Sequence, residues 1–563
     1  MGVSTSAPKA SSRPLRDVVT SDARREAYIA SGAWDTVTLW DRVHQHAEAR
    51  PDSEAVVDQS GRRHRTYGQL QEDALRVAGF LFEVGVRPGD VVAVQLPNRY
   101  ETVAIALGIF RTGAVINPML PVYRSKELRY MLNVGQTRIM FLPDSYRSHD
   151  HIGMLEALAA DVPELATRVV VGIEGRPAVP NGWSRFEAIL ERGADVSPVG
   201  PEPEAAEVSE LIFTSGTEAD PKAIMHTEQT TNFSVRAAWS SLGMDESDIV
   251  WMPSPVGHST GFNYGIRMAL YHGIKLVLQD QWDGGEAARL IESERCTYTL
   301  AATTFVRDLV EAARRDRRDV SSMRLFGSGG APVPPEVVRA AGDQGVTVLR
   351  LYGSTEVLVG TWNRRESAEA KCVFTDGTAI DGVEIQAWDS ADKPLIDEPG
   401  EVHTRGPNTC VGFFNDPDRT AATFRPDGWV RSGDLAVVDS DGYLTVVGRK
   451  KEIIIRGGLN IAPREVEELL LHMPGVRAVA VVGLPHERLG EIGCACIVPN
   501  EGSEVTFEAM IAYLESTGLA RYKLPERLEI VEAIPMTATG KIQKYRLVEW
   551  IQTGAPKGAP RGA

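Results

Sequence analysis

Phe213-Thr-Ser-Gly-Thr-Glu-Ala-Asp-Pro-Lys-Ala223 follows directly on Glu210-Leu-Ile, an apolar run that reads as a short buried strand. Three hydroxyl side chains (Thr214, Ser215, Thr217), a glycine (Gly216) that lets backbone approach closely, and Lys222 behind Pro221 make a loop rich in hydrogen-bond donors for an anion. A strand feeding a polar, lysine-bearing loop is where α/β proteins hold phosphate. The Gly-x-x-x-x-Gly-Lys-Ser/Thr spacing of a Walker loop is absent. By itself the stretch reads equally as a phosphate grip or as an ordinary Ser/Thr turn, so the flanking sequence decides.

On both sides, apolar strand-like runs alternate with helical stretches. Val91-Val-Ala-Val, Arg138-Ile-Met-Phe-Leu, Arg168-Val-Val-Val, Ile249-Val-Trp-Met, Lys275-Leu-Val-Leu, Tyr298-Thr-Leu, Met323-Arg-Leu-Phe and Thr347-Val-Leu-Arg-Leu are the strands. Helices are predicted from Thr66 as N-cap, over Tyr100–Thr112 and over Ser125–Val134. This is the pattern of mostly parallel α/β layers. The Pro/Gly-rich, charged stretch from Glu174 to Glu207 reads as a surface insertion. From Gly382 the texture changes to short strands with turn signals, Asp441-Gly442 among them, which predicts a β subdomain over about 382–447. Residues 452–550 read as a small α+β C-terminal domain of their own, 1–30 as a flexible leader and 551–563 as a flexible tail.

With 563 residues the chain is too long for one core. A net charge of -16 without a basic tract argues against nucleic acid as a partner. The longest apolar run, Val103 to Leu120, is broken by Arg111 and Pro118, so no membrane span is expected. Five scattered cysteines are not a disulfide framework, and Cys494-Ala-Cys496 lacks a matching cluster for a metal site. The expected compartment is the cytoplasm.

Further motifs follow in order: Pro253-Ser-Pro-Val-Gly-His-Ser-Thr-Gly-Phe262, Gly327-Ser-Gly-Gly-Ala-Pro332, Leu351-Tyr-Gly-Ser-Thr-Glu356, Gly428-Trp-Val-Arg-Ser-Gly-Asp434, Arg449 with Lys451, Gly457-Gly458, and Pro535-Met-Thr-Ala-Thr-Gly-Lys541. Together with the opening loop they resemble the adenylate-forming superfamily of acyl-CoA and aryl-CoA synthetases, peptide-synthetase adenylation domains and luciferases, over roughly residues 38–550.

The resemblance implies a large N-terminal AMP-binding domain (31–447), a small mobile C-terminal domain, and an ATP-dependent ligase that turns a carboxylic acid into acyl-AMP and then into a CoA thioester. It assigns Lys541, His258 and Glu356 to catalysis. ATP or AMP would be bound by Thr214, Ser215, Gly216, Thr217, Lys222, Gly329, Ala331, Tyr352, Gly353, Ser354, Thr355, Asp434 and Arg449. The acid would meet His258, Gly261, Phe262, Thr303, Thr304, Gly327 and Leu351, and Mg²⁺ would sit on Thr217 and Glu356. The resemblance also implies a hinge at 448–451, in which Lys451 falls, and places Gly457 and Gly458 where the pantetheine arm passes.

The chemistry of these residue types agrees. A carboxylate is a natural clamp for a ribose diol, a hard oxygen suits Mg²⁺, and Tyr352 can stack on a purine. All the acid-pocket residues are uncharged or apolar, and none offers the carboxylate an amino acid's ammonium would need. A medium-chain, alicyclic or aromatic acid is expected, with CoA as the acceptor, a carrier-protein thiol as the alternative, and homodimerisation left open. Gly257-His-Ser259-Thr-Gly261 also fits the nucleophile elbow of α/β-hydrolases, against which Pro253 and Pro255 speak. The opening loop departs from the family's Thr-Ser-Gly-Thr-Thr-Gly-x-Pro-Lys-Gly at Glu218, Ala219 and Ala223, which predicts a more acidic and stiffer loop.

Overall fold

Strands buried on both faces read as unbroken apolar runs, and here they assemble into two sheets. The computed structural model describes residues 15–58, 63–173, 179–191, 200–214, 221–330, 333–537 and 541–554. The first sheet has nine strands in the order 378–379, 358–362, 348–354, 325–329, 298–300, 249–252, 275–278, 54–58 and 63–66. It is parallel from 348–354 through 54–58 and antiparallel at both edges. The second runs 223–227, 208–213, 115–118, 91–94, 139–143, 167–171 and 184–185. All its pairings are parallel except the hairpin of Val208–Phe213 with Ala223–Thr227, which brackets the opening loop.

The helix Tyr100–Arg111 is buried along its whole length, as expected of a helix apolar on every side. It approaches the helix Tyr67–Glu83 so closely that a Cβ on Gly108 would fall 2.5 Å from Val77 Cγ1. Arg111, which interrupts the apolar run, reaches Glu202 at 2.9 Å. The run is therefore most of a core helix followed by the buried strand Val115–Pro118, and no helix among the described residues is long and apolar enough to cross a membrane.

A five-stranded antiparallel sheet (394–395, 384–388, 399–405, 430–438, 444–449) follows, and then the C-terminal unit. There the strands 459–461, 454–456, 490–499 and 476–486 form one sheet, with 527–530 added parallel to 490–499. Buried Cys494 and Cys496 are strand residues.

Three expectations change. Residues 15–30 of the expected flexible leader are folded: Leu15 is buried, Val18 N–H bonds Val411 O at 3.0 Å, and Ser21 caps the helix Asp22–Ala30. That helix buries none of its own residues, so hydrophobic periodicity gave no signal for it. The surface insertion contributes an edge strand, Ser184–Arg185, and a helix, Phe186–Leu190, whose Phe186 and Ile189 enter the core. The last helix, Lys544–Thr553, takes in the first residues of the expected tail. Residues 1–14 and 555–563 lie outside the described residues.

Candidate active site

The opening loop leaves the end of one hairpin strand and returns to the other. Thr214 N–H donates to Lys222 O (3.1 Å), and Lys222 N–H donates to Thr214 Oγ1 (3.2 Å), closing its base. Ser215, Gly216, Thr217, Glu218 and Ala219 lie outside the described residues, as does Ala331. Ala223 starts the return strand, pairs with Phe213 and is absent from the positive-φ residues, so an alanine in place of the family's glycine costs nothing there. Lys222 points across to Glu356, with Nζ 3.1 Å from Oε1.

Glu356 stands at the tip of the three-residue turn between the strands Val348–Ser354 and Leu358–Trp362. The turn closes through Leu358 at φ 52° and needs Gly353, where a Cβ would lie 2.1 Å from Leu358 O. Each carbonyl of the turn meets a buried donor. His226 Nε2 holds Thr355 O at 2.8 Å, Cys410 N–H holds Glu356 O at 2.8 Å, and Asn408 Nδ2 holds Val357 O at 2.6 Å and Val359 O at 3.0 Å. Sequence reasoning missed His226 and Asn408, whose partners are distant along the chain. Burial acts to raise the Glu356 carboxyl, but Lys222 and local hydrogen bonds outweigh it and hold it below its ordinary value.

Beside this turn runs a cleft between the large and C-terminal units, lined by Gly330, Tyr352, Gly353, Ser354, Asp434, Arg449 and Lys541. Tyr352, expected to stack on a purine, donates its hydroxyl to Asp434 Oδ2 (2.9 Å), and Arg449 Nε lies 3.0 Å from Oδ1. A carboxylate has about four acceptor sites, so Asp434 keeps capacity for two further hydroxyls. Burial raises its pKa, opposed by Arg449, Tyr352 and Lys541.

A deeper cavity opens from the cleft. Its polar end is formed by His258, Gly329, Gly330, Ser354, Thr355 and Lys541, its apolar walls by Tyr264, Leu300, Ala301, Ala302, Phe305, Leu351, Leu358 and Val359. His258 caps the short helix Ser259–Gly261, its Nδ1 accepting Thr260 N–H at 3.3 Å, which places the ring proton on Nε2. Burial, helped by Lys541, pushes its pKa down to about 3. Lys541 arrives on a hairpin of the C-terminal unit, set by a Met536–Ile542 bridge and by Thr537 N–H donating to Lys541 O at 2.7 Å. Burial first, then Arg449, lowers its pKa, while Asp434 and Glu356 oppose the shift.

Part of the expected acid pocket is rearranged. Gly261 lies against Pro255 O, where a Cβ would be 2.3 Å away; Phe262 is fully buried, 6.1 Å from the Phe110 ring; and a Cβ on Gly327 would lie 2.6 Å from Trp362 Cζ2. None of the three lines the cavity. Thr303 and Thr304 border the outer cleft, and Phe305 takes the cavity wall. Phe262 and Tyr264 share a π-helix over Phe262–Arg267, and of the two Tyr264 lines the cavity while Phe262 packs in the core.

Ser259 begins a helix well past the strand that ends at Met252, and its Oγ meets Asn263 Nδ2 at 3.4 Å. No strand runs into it, so the elbow reading fails. Lys451 lies in the 3-10 turn Lys450–Glu452, and Gly457 and Gly458 (φ 56° and 85°) form the turn of an exposed hairpin that borders neither cavity nor cleft.

A family model described as AMP-binding enzyme matches residues 43–414, and one described as AMP-binding enzyme C-terminal domain matches residues 465–541. The medium-chain fatty-acid–CoA ligase of Escherichia coli (strain K12) is 35% identical over 531 residues, covering 94% of this chain and 93% of that protein. A salicylyl-CoA synthase/salicylate adenylyltransferase from a Streptomyces species is 32% identical, covering 93% and 95%. Among solved structures, ATP-bound MatB from Rhodopseudomonas palustris aligns with a TM-score of 0.82 at 26% identity, covering 92% of this chain and 99% of that one.

Proposed function

The chain belongs to the family of AMP-binding enzymes, and from that premise we propose that it is an AMP-forming acid–CoA ligase for a medium-chain, alicyclic or aromatic carboxylic acid. A carboxylate oxygen of the acid attacks the α-phosphorus of ATP, and pyrophosphate leaves as acyl-AMP forms. The CoA sulfur then attacks the acyl carbonyl carbon, the thiol proton is lost to solvent, and the bond to AMP breaks to give the thioester and AMP.

The observation that carries this reading is the meeting of Lys541, from the C-terminal unit, with a neutral His258 at the polar end of an apolar cavity beside Asp434. Two anions must approach in the first step, and a buried ammonium offsets the charge that builds up there. His258 Nε2–H can donate to the carboxylate without adding a charge of its own. Asp434 would take the ribose hydroxyls and Arg449 would hold the carboxylate in place. Lys222, paired with Glu356 in this structure, would transfer to the phosphates.

Glu356 fits Mg²⁺: one hard, ionised carboxylate, completed by phosphate oxygens and water, is the site this ion prefers, with Thr217 as the expected second group. When bound, the ion neutralises phosphate charge. No Asp or Glu is among the described residues lining the cavity, which argues against an amino acid. CoA is preferred to a carrier-protein thiol because both relatives named above carry CoA in their names. The free cysteines and the two substrates fit a cytosolic enzyme.

The test is pyrophosphate release with octanoate, cyclohexanecarboxylate, benzoate and phenylalanine, with and without CoA. Release with one of the first three, and turnover to AMP only with CoA, is expected. Silence with every acid, or ester hydrolysis without ATP, would sink the proposal.

A further inference from the structure

Lys544 stands three residues beyond Lys541, at the start of the last helix. Its Nζ lies 2.8 Å from Glu467 Oε1 and 3.0 Å from Glu452 Oε2, and its side chain is 17% exposed, so the contacts are largely screened from water. Glu467 sits on the helix Pro463–Leu471 and is itself fixed, since Oε1 also accepts Val481 N–H at 2.7 Å. Glu452 closes the 3-10 turn Lys450–Glu452, where the chain leaves the large domain. One ammonium therefore ties the exit of the hinge, the body of the C-terminal unit and the root of the hairpin that carries Lys541.

The side chain of Glu467 is 11% exposed and that of Glu452 31%, so the pairs are partly buried; desolvation then offsets part of the attraction, and the better-attested use of such a pair is to fix one arrangement among several. Here the arrangement fixed is the reach of an arm whose tip must enter a cavity of the other domain. The hairpin's own backbone bonds are local: the Met536–Ile542 bridge, Thr537 N–H on Lys541 O (2.7 Å), Lys541 N–H on Thr537 Oγ1 (3.0 Å) and Gln543 N–H on Pro535 O (2.8 Å) close it on itself without tying it to the hinge. Burial opposes the charge on Lys544, but the two glutamates outweigh it and keep the lysine protonated.

We infer that Lys544 is a positioning residue for the adenylation step, coupling the hinge to the Lys541 arm so that domain rotation and insertion of Lys541 are one movement. The inference rests on the proposed role of Lys541.

The experiment compares Lys544→Met, Lys544→Arg, Glu452→Gln, Lys541→Ala and the double variant Lys541→Ala/Lys544→Met. Two rates are read, with octanoate or benzoate, whichever the wild type uses faster: acid-dependent ATP–pyrophosphate exchange, and acyl-CoA formation from the corresponding supplied acyl-AMP. A displaced catalytic group costs about 100-fold, so Lys544→Met is expected to lower the kcat of exchange by about 10- to 100-fold, with KM for ATP little changed. Glu452→Gln should do the same more mildly. The thioester step should stay near the wild-type rate, Lys544→Arg should restore much of the exchange, and the double variant should be no slower than Lys541→Ala alone, as coupled residues behave.

Wild-type exchange in Lys544→Met overturns the inference. So does equal loss of both steps with a lowered urea midpoint, the mark of a folding role, or a raised KM for ATP with kcat intact, the mark of a nucleotide contact. Exchange that survives in Lys541→Ala would instead overturn the reading of the site itself.

Discussion

Burial acts in the same direction on His258 and Lys541, favouring the uncharged form of each, yet the consequences differ. With its pKa near 3, His258 is neutral throughout the range in which the enzyme would be assayed. The kcat/KM for adenylation should therefore show no inflection from this residue between about pH 5 and 8, where an ordinary histidine titrates. A limb near neutral pH that vanishes in His258→Gln would contradict this assignment. Lys541 must carry its proton to work, and its pKa lies below that of a free lysine. Activity should accordingly fall on the alkaline side earlier than a free lysine would dictate, and Lys541→Arg should abolish that limb at whatever rate remains. Lys541→Ala should cost adenylation about 100- to 1,000-fold, the usual scale for removing a transition-state charge stabiliser, and leave acyl transfer from supplied acyl-AMP intact. Single-turnover measurement of each step separates the two. Both residues were legible in the sequence because each sits in a motif; their protonation states were not, since these come from neighbours brought in by folding.

At the scale of elements, the turn that bears Glu356 shows what local pattern can and cannot reveal. The strand Val348–Ser354, the helix Ser125–Val134 and the capping box at Thr66 follow from periodicity and cap chemistry, which act over a few residues. The donors that lock the turn come from elsewhere in the chain, so no local pattern announces them. Phe262 is a related case: it lies on a π-helix, which has no period that hydrophobic patterning detects, and there Tyr264 rather than Phe262 lines the cavity. Asn408→Ala tests the lock. It leaves the Val357 and Val359 carbonyls unpaired in a buried setting, which costs about 1–3 kcal/mol for such a loss, seen as a lower urea midpoint. Because Glu356 rides on that turn, the variant should also need more Mg²⁺ for half-maximal exchange. An unchanged Mg²⁺ requirement would mean that the turn holds its shape without Asn408.

Across the whole molecule, one arrangement is occupied at the expense of another. With Lys541 in the cavity, the Gly457-Gly458 hairpin lies away from it, although the resemblance assigns that hairpin to the path of the pantetheine arm. We propose that the second step follows a turn of the C-terminal unit about the expected hinge at 448–451, part of which is the 3-10 turn Lys450–Glu452. Glu336 of the large domain and His472 of the C-terminal unit face each other at 3.6 Å, and both side chains are 55% exposed, so the pair offers a place to stop that rotation. Its own contribution to stability should be small, because exposed pairs are worth about 0–1 kcal/mol, and replacing both residues is therefore tolerable. With half-buried Cys372 changed to serine, and the other four cysteines buried, Glu336→Cys/His472→Cys can be joined by a short, reducible bis-thiol reagent. The joined protein should form acyl-AMP once per site and make no acyl-CoA, and reduction should restore the thioester step. Acyl-CoA produced at the normal rate while the link is intact would show that both steps run in the arrangement seen here, and the hinge would lose its proposed role.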